Sequence, residues 1–574
     1  MRELVALARG NRIKYILGYF LLCVFVVTLR LFYLQIESSA LFSSMGERNF
    51  LRIEIVPPRR GDVYDCKNVL LAANRPLFDL YWHGGGSGRL SVQDENSLHT
   101  IGTIVGIDFL QGGQRVAIEY AQRYARRLIL KEDLSFQQLC QISEQCGQAQ
   151  HIVIANRFKR VYPNQCLASH VLGYLNRSEN IGQTGVEHHF DQTLQGAAGY
   201  ISSVINATGK TLAQKISKNA KAGADVVLTL DFKLQCMAES LFDKEQSGAL
   251  ILMDPSTGAI RTLVSFPHFD PNAFLKPLTE EAWHQLSINN PLLNRATNAQ
   301  YPPASTFKLV TLAAGLEEKI VHTDDKVLCS GHMTFCGRPY YCMKRTGHGK
   351  LTMRDAMAVS CNIPCFYIAK KIPIDRLAAY AHKFGLGRKT AFSLPEKPGL
   401  VPTTRWKRAN KGEAWWTGES LSTCIGQGYL LATPLQVVRM VGAIGTGYLV
   451  KPRMHEDESI DREPLDISSS TINFLRSAMH EAAQNGTCRA MKPLKNFVIH
   501  AKTGTAQTCS LSFEKVDKRH LEHAWLSCYF SYKGQPPLAL VVLVENAGYS
   551  WPAINIAIHF LKHFEKLNRE GALS

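Results

Sequence analysis

Apolar and polar positions along this chain follow three different patterns. Residues 15–29 are almost all apolar, Arg30 interrupts, and a second apolar patch covers residues 31–36. A stretch of about 20 apolar residues crosses a bilayer core, so this pattern predicts a membrane span, with Arg30 reaching for the far interface. Over residues 49–74 the pattern turns extended and broken. Val56-Pro57-Pro58-Arg59-Arg60-Gly61-Asp62-Val63-Tyr64-Asp65 has a Pro-fixed start and a Gly turn. The Gly-rich residues 83–88 and the polar run Gln93-Asp94-Glu95-Asn96-Ser97 extend this into a small irregular module with insertions.

From residue 226 short apolar runs return. Val226-Val227-Leu228-Thr229-Leu230 reads as a strand, residues 232–242 as an amphipathic helix, and residues 248–264 as two strands around Pro255-Ser256-Thr257-Gly258. Residues 497–501, 525–532 and 538–545 read as further strands, with helical stretches between the two groups. Strands at both ends and helices between them predict an α+β domain whose sheet is closed by distant segments. The expected division is a tail over 1–12, an anchor over 13–36, a mostly-β pedestal or dimerisation module over 37–225, and a catalytic domain over 226–574.

At 574 residues the chain has room for three or four domains at roughly 150 residues each. Its 45% hydrophobic and 20% charged residues exclude a disordered, collagen-like or polytopic chain. The net charge of +17 favours anionic partners without naming one. Arg2, Arg9, Arg12 and Lys14 precede the span, and basic residues stay inside, so the remainder is expected outside the cytoplasm, on a single-pass inner-membrane anchor. Ser38-Ser39-Ala40 offers a signal-peptidase alternative, but it lies well past the apolar run. In that compartment nucleic acid is no partner, and fifteen cysteines pose a redox question.

Candidate chemistry begins at Tyr301-Pro302-Pro303-Ala304-Ser305-Thr306-Phe307-Lys308, where two prolines lead into an apolar helix. Ser305 then sits in the first turn with Lys308 on the same face at i+3. A lysine kept neutral by burial or a nearby cation can take the serine's proton. The pattern alone carries little, since Ser512-Phe513-Glu514-Lys515 repeats it and S-x-N occurs at Ser178, Ser217, Ser287 and Ser360. Order and context select Ser305 with Lys308, then Ser360-Cys361-Asn362 opening a helix, then Lys502-Thr503-Gly504-Thr505 at the end of a β-run. This trio characterises penicillin-binding proteins and serine β-lactamases, and its members would line one groove.

With those motifs the chain resembles the class B penicillin-binding proteins. Arg59-Arg60-Gly61, Arg160-Val161-Tyr162-Pro163, His170-Val171-Leu172-Gly173-Tyr174, Gly185-Val186-Glu187 and Asn294-Arg295 are similar to the family's non-catalytic signatures. Trp416-Thr417-Gly418-Glu419, Ile425-Gly426-Gln427-Gly428-Tyr429, Thr433-Pro434-Leu435-Gln436, Gly347-His348-Gly349 and Lys502-Thr503-Gly504-Thr505-Ala506-Gln507 resemble the elongation-type branch more than the septal one. Two departures stand out: Ala304 where a Gly is usual, and Cys66-Lys67-Asn68 in place of Arg-Asn-Gly.

The resemblance implies a serine transpeptidase fold with an antiparallel sheet flanked by helices, and a D,D-transpeptidase acting on peptidoglycan stem peptides. Ser305 would attack the penultimate D-Ala, Lys308 would be the base, and Ser305 and Thr505 amides would hold the oxyanion. Ser360 would relay a proton, Asn362 would hold the donor backbone, and Lys502, Thr503 and Thr505 would receive the terminal carboxylate, with Gly504 allowing close approach. Implied partners are donor and acceptor pentapeptide strands, β-lactams, the membrane, a membrane glycosyltransferase and other elongation-complex proteins. No cofactor is required for the chemistry. The competing readings are a D,D-carboxypeptidase or β-lactamase-type hydrolase, and a catalytically silent β-lactam sensor or scaffold.

Cys329, Cys336, Cys342, His348, Cys361 and Cys365 cluster in sequence beside the second motif. The resemblance favours Cys329, Cys342, His348 and Cys361 as a structural zinc set; disulfides and reduced buried thiols stand as the alternatives. Elsewhere, Glu187 paired with Arg59 or Arg60 reads as a weak surface contact, His188-His189 as surface residues pointing apart on a strand, and Trp415-Trp416 as packing.

Overall fold

The computed structural model describes residues 2–40, 42, 50–147, 149–176, 180–205, 211–507 and 520–571. Helix α1 covers Arg2–Phe32 and continues as a π-helical turn, Tyr33–Glu37. Within it Lys14–Glu37 has a mean hydropathy of 2.2 and exposed apolar side chains, and is long and apolar enough to cross a membrane. The chain divides into two compact units that do not follow chain order. Residues 1–60, 74–159 and 196–223 form one; residues 61–73, 160–195 and 224–574 form the other.

In the first unit Leu51–Val56, Gly199–Ile205 and Thr211–Lys218 make a three-stranded antiparallel sheet. Helices Val92–Val105, Gly112–Arg123 and Phe136–Cys146 surround Leu80, Trp82, Ile101 and Ile142. The polar run over residues 93–97, expected to be irregular, lies in the first of these helices. Ser91 accepts from the Asp94 amide while the Asp94 carboxylate accepts from the Ser91 amide, a capping box that outweighs the run's polarity.

The second unit is built on five antiparallel strands: β1 (Gly248–Met253), β2 (Ile260–Phe266), β3 (Phe497–Ala506), β4 (His523–Tyr532) and β5 (Leu538–Val544), in the order β2-β1-β5-β4-β3. Strand periodicity divides their side chains between two cores. Ala249, Ile251, Met253, Ala539, Val541 and Leu543 enter the core that also holds α2 (Lys308–Glu317), α3 (Ile363–Lys371), α4 (Pro434–Thr446) and α5 (Ser469–Gln484). Leu250, Leu252, Leu540, Val542 and Val544 face the core closed by α6 (Trp551–Arg569). Sheet strands buried on both faces read as continuous apolar runs, which is why β1 and β5 were legible as runs rather than alternations.

Three expectations need correction. Of residues 226–230 only Val226–Val227 forms a strand, parallel to Val63–Tyr64; Leu228 bridges singly to His455, and the Thr229 hydroxyl is bound by the Ile260 and Arg453 carbonyls. His188 and His189 lie on the short helix Gly185–His189 rather than on a strand, and both are exposed. Glu187 is no surface charge: it is 1% exposed, and its Oε1 accepts from Arg160 Nε at 2.6 Å and Tyr162 Oη at 3.2 Å. Arg160 also donates to the Gly61 carbonyl, so a paired buried carboxylate joins residues 61, 160, 162 and 187. The unusual Cys66-Lys67-Asn68 still turns: Asp65 Oδ1 accepts from the Lys67 and Val69 amides, and Asn68 takes φ 61 where the usual residue is Gly.

Candidate active site

The turn that carries Ser305 is fixed from several sides. Tyr301 and Ala432 exchange backbone hydrogen bonds at 2.9 and 2.8 Å, the Ala304 amide donates to the Gly426 carbonyl, and Trp525 Nε1 donates to the Pro302 carbonyl. The Tyr301 hydroxyl donates to Glu545 Oε1 at 2.6 Å. A 3-10 turn over Ala304–Thr306 then feeds α2, whose first residue is Lys308. Gly426 sits at φ 76, and a Cβ there would meet the Ala304 carbonyl at 2.0 Å, so the loop after the helix Thr417–Thr423 must carry glycine.

Ala304 adopts φ 50, a conformation that costs a non-glycine residue about 1–2 kcal/mol. Part of this is recovered through the smaller backbone freedom of Ala in the unfolded chain, about 0.4–1 kcal/mol. Ala304→Gly is therefore expected to stabilise the protein by about 0.5–1 kcal/mol in urea unfolding; a loss of stability would show that the left-handed turn is not under strain.

Burial and hydrogen bonding bring the three motifs together. Lys308 is fully buried, and its Nζ donates to Ser360 O at 2.7 Å, Ser360 Oγ at 3.2 Å and Asn362 Oδ1 at 2.5 Å. Lys502, also fully buried, donates to Ser360 Oγ at 2.8 Å and to the Thr503 carbonyl. The Ser360 hydroxyl thus lies between two lysine amines, on a residue held at φ 56. Burial pushes both lysines below their ordinary range, and Lys502, with Lys308 beside it as the second cause, falls to about 7.

The third motif lies within β3 rather than at a strand end: pairing with β4 continues through Thr505 to Ala506. Gly504 lets this edge strand lie against the serine turn, since a Cβ there would be 3.1 Å from Trp525 Cβ and 3.2 Å from the Pro303 carbonyl. Ser305, Asn362 and Thr505 open into one cavity of about 420 Å³, walled also by Tyr341, Arg345 and Gln427. The competing motifs lie elsewhere. Ser217 is on an exposed strand and Ser287 ends an exposed helix, while Ser178 and Ser512-Phe513-Glu514-Lys515 lie outside the described residues.

Sequence reasoning missed Thr487. Its hydroxyl accepts from Thr503 Oγ1 at 2.8 Å, and its amide donates to Ala358 O at 3.1 Å, linking the third motif to the segment before Ser360. The signal available was Gly486, where a Cβ would meet Ala358 O at 2.3 Å. Gln427 was noted only as part of a signature; its Nε2 donates to the Thr505 carbonyl. Of the two tryptophans, Trp415 donates to Ser420 Oγ, whereas Trp416 is 42% exposed beneath the Arg338 guanidinium.

Cys329, Cys342, His348 and Cys361 converge, with their donor atoms all within 4.8 Å of one another. His348 Nδ1 is 3.5 Å from both Cys329 Sγ and Cys342 Sγ, and Cys342 Sγ is 3.8 Å from Cys361 Sγ. The Cys361 thiol holds Cys342 down to about 4, and is itself pushed up by the same bond. The cluster braces the second motif from behind: the Asn362 amide donates to Cys342 Sγ, and Asn362 Nδ2 donates to the Tyr341 carbonyl. Cys336 and Cys365 stand outside the set, and none of the described cysteines is joined in a disulfide.

Fold and site define a class of protein: an α+β enzyme in which a serine heads the central helix and two buried lysines meet a second serine beside it. Family models match in two parts, the penicillin binding protein transpeptidase domain over residues 248–556 and the penicillin-binding protein dimerisation domain over residues 55–228. The peptidoglycan D,D-transpeptidase MrdA of Acinetobacter baumannii is 30% identical across 95% of this chain and 86% of its own length. That of Escherichia coli K12 is 26% identical across 92% and 90%. Among solved structures, the complex of PBP2 and MreC from Helicobacter pylori matches with a TM-score of 0.76 at 27% identity, covering 90% of this chain and 99% of that one. A structure described as coordinating polymerization and crosslinking in a peptidoglycan synthase complex matches at 0.73 and 30% identity, covering 96% and 97%. The chain belongs to the penicillin-binding protein transpeptidase family, as an elongation-type class B member.

Proposed function

We propose that Ser305 is the nucleophile through which this chain, a peptidoglycan D,D-transpeptidase, cross-links stem peptides. The observation that carries the assignment is the pair of buried lysine amines meeting at the Ser360 hydroxyl: Lys308 follows Ser305 at i+3 and also holds Asn362, which lines the same cavity as Ser305. Ser305 Oγ attacks the carbonyl of the penultimate D-Ala, and Lys308, whose burial favours the neutral amine, takes its proton. The Ser305 and Thr505 amides receive the charge that develops on the carbonyl oxygen, where most of the barrier lowering arises. Ser360, bonded to both lysines, passes the proton to the departing D-Ala. Asn362 holds the donor backbone, while Lys502, Thr503 and Thr505 receive the terminal carboxylate. An amine from a second strand then resolves the acyl-enzyme.

The test is the pH dependence of acylation by penicillin. The rate is expected to rise through pH 7 as the lysine pair loses a proton, with an apparent midpoint belonging to the pair. Lys308→Arg, which cannot become neutral at this pH, should lower the rate by about 10³-fold or more. A profile flat from pH 6 to 9 would remove the lysine from the role of base. The same depression affects stability. Between about 7 and 10.5 the unfolded chain keeps a proton that folded Lys502 has released, so this group's contribution to stability grows as pH rises across that window.

The four converging donors are assigned to a structural zinc ion. A tetrahedral ion with Zn–S near 2.3 Å and Zn–N near 2.05 Å places its ligands about 3.8 Å apart for S···S and about 3.5 Å for S···N, and the cluster has both spacings. Cys329, Cys342, His348 and Cys361 would hold the ion away from bond making, where it would fix the loop over residues 329–348 behind Asn362. The assigned location is the inner membrane, anchored by Lys14–Glu37, with residues 38–60, 74–159 and 196–223 as pedestal and residues 61–73, 160–195 and 224–574 as the extracytoplasmic catalytic unit. The relatives described with MreC and in a peptidoglycan synthase complex support partners of the same kind here, including a membrane glycosyltransferase.

A further inference from the structure

The loop that closes one side of the cavity carries a cation that the chemistry above does not use. Arg345 lines the same cavity as Ser305 and is exposed. Its guanidinium carbon lies over the Tyr341 ring, 3.6 Å from the centroid, a cation–π contact that holds the head group in place. Among the described residues no carboxylate forms an ion pair with it, whereas Arg115, Arg157, Arg295, Arg376 and Arg453 each have one. The platform beneath it is fixed to the second motif, because the Tyr341 carbonyl accepts from Asn362 Nδ2. Cys342 and His348 of the thiol and imidazole cluster flank Arg345 at three residues on either side. A guanidinium so held is a bidentate carboxylate receptor at a fixed place in the groove.

The terminal carboxylate of the donor already has Lys502, Thr503 and Thr505. We propose that Arg345 is a specificity-determining residue that binds a second, side carboxylate of the stem peptide, such as the free carboxylate of a diamino-acid residue. It thereby favours peptides in which that group is ionised over those in which it is amidated. The inference rests on the transpeptidase reading. Benzylpenicillin has no side-chain carboxylate, so acylation by it reports on Ser305 and Lys308 without involving Arg345.

The experiment uses the full-length protein in detergent and two D-Ala-D-Ala-ending peptides that differ only in a free or amidated diaminopimelyl carboxylate. D-Ala release and the rate of penicillin acylation are measured for the wild type, Arg345→Gln and Arg345→Lys. The wild type is expected to favour the free-carboxylate peptide at least tenfold in kcat/KM. Arg345→Gln should lose that preference by raising KM for this peptide alone, Arg345→Lys should restore part of it, and penicillin acylation should stay within twofold in both. Equal use of the two peptides by the wild type overturns the proposal. So does an equal loss on both peptides in Arg345→Gln, which would assign the arginine to holding Tyr341. Loss of penicillin acylation in the wild type would instead sink the transpeptidase reading.

Discussion

Ser305→Ala is expected to abolish covalent labelling by a fluorescent penicillin, a loss of about 10⁴-fold or more, because no other described group reaches the same position at the head of α2. Mass analysis of wild-type protein should place one adduct on the peptide containing Ser305. Ser360→Ala removes the hydroxyl between Lys308 and Lys502 and leaves the nucleophile in place, so labelling should persist but slow by about 10²–10³-fold, the scale of a lost proton relay. The lifetime of the adduct separates the competing activities. A transpeptidase that excludes water keeps the label for hours, whereas release within minutes would make the protein a hydrolase. An unlabelled wild type would leave it a silent scaffold.

Removal of the proposed zinc is the second large effect expected. Purified protein should hold zinc at one equivalent per chain, and the four ligand side chains should resist alkylation until a strong chelator is added. Stripping the ion would leave three cysteine sulfurs and an imidazole crowded beside Asn362 with nothing to hold them together. Penicillin acylation should then fall by about 10–100-fold, and the melting temperature should drop by several degrees. Cys361→Ser should reproduce both effects. Cys336→Ser, at the tip of an exposed hairpin outside the set, should reproduce neither. Dialysed protein without stoichiometric zinc, or one in which Cys342 and Cys361 resist alkylation as a disulfide, would overturn the assignment.

Both predictions depend on groups that the sequence announces to different degrees. The three motifs that the fold brings together were legible because each has a local signature: two prolines before Ser305, a helix after Asn362, an apolar strand around Lys502. The metal set was not legible from spacing alone. Cys329, Cys342, His348 and Cys361 are separated by 13, 6 and 13 positions, and only the folded loop shows which of the clustered cysteines share a centre. Glu187 shows the opposite failure. Its charge argued for the surface, yet Arg160 and Tyr162, 27 and 25 residues away, satisfy it in the interior. Thr487 and Arg345 carried no motif and became visible only through what they touch.

The sequence by itself determined the elements and the groups that stay local: the apolar span, the buried runs of the central sheet, the order of the three motifs, and the serine at a helix start. These follow from periodicity and from the few residue types that each turn or nucleophile tolerates. Tertiary structure alone decided which lysine meets which serine, which thiols converge, that residues 61–73 and 160–195 fold with the catalytic unit, and which arginine in the groove has no carboxylate partner among the described residues. The reason is physical. Desolvation and pairing depend on neighbours 50 to 200 residues away, and no local pattern encodes how deeply a side chain is buried or what meets it there.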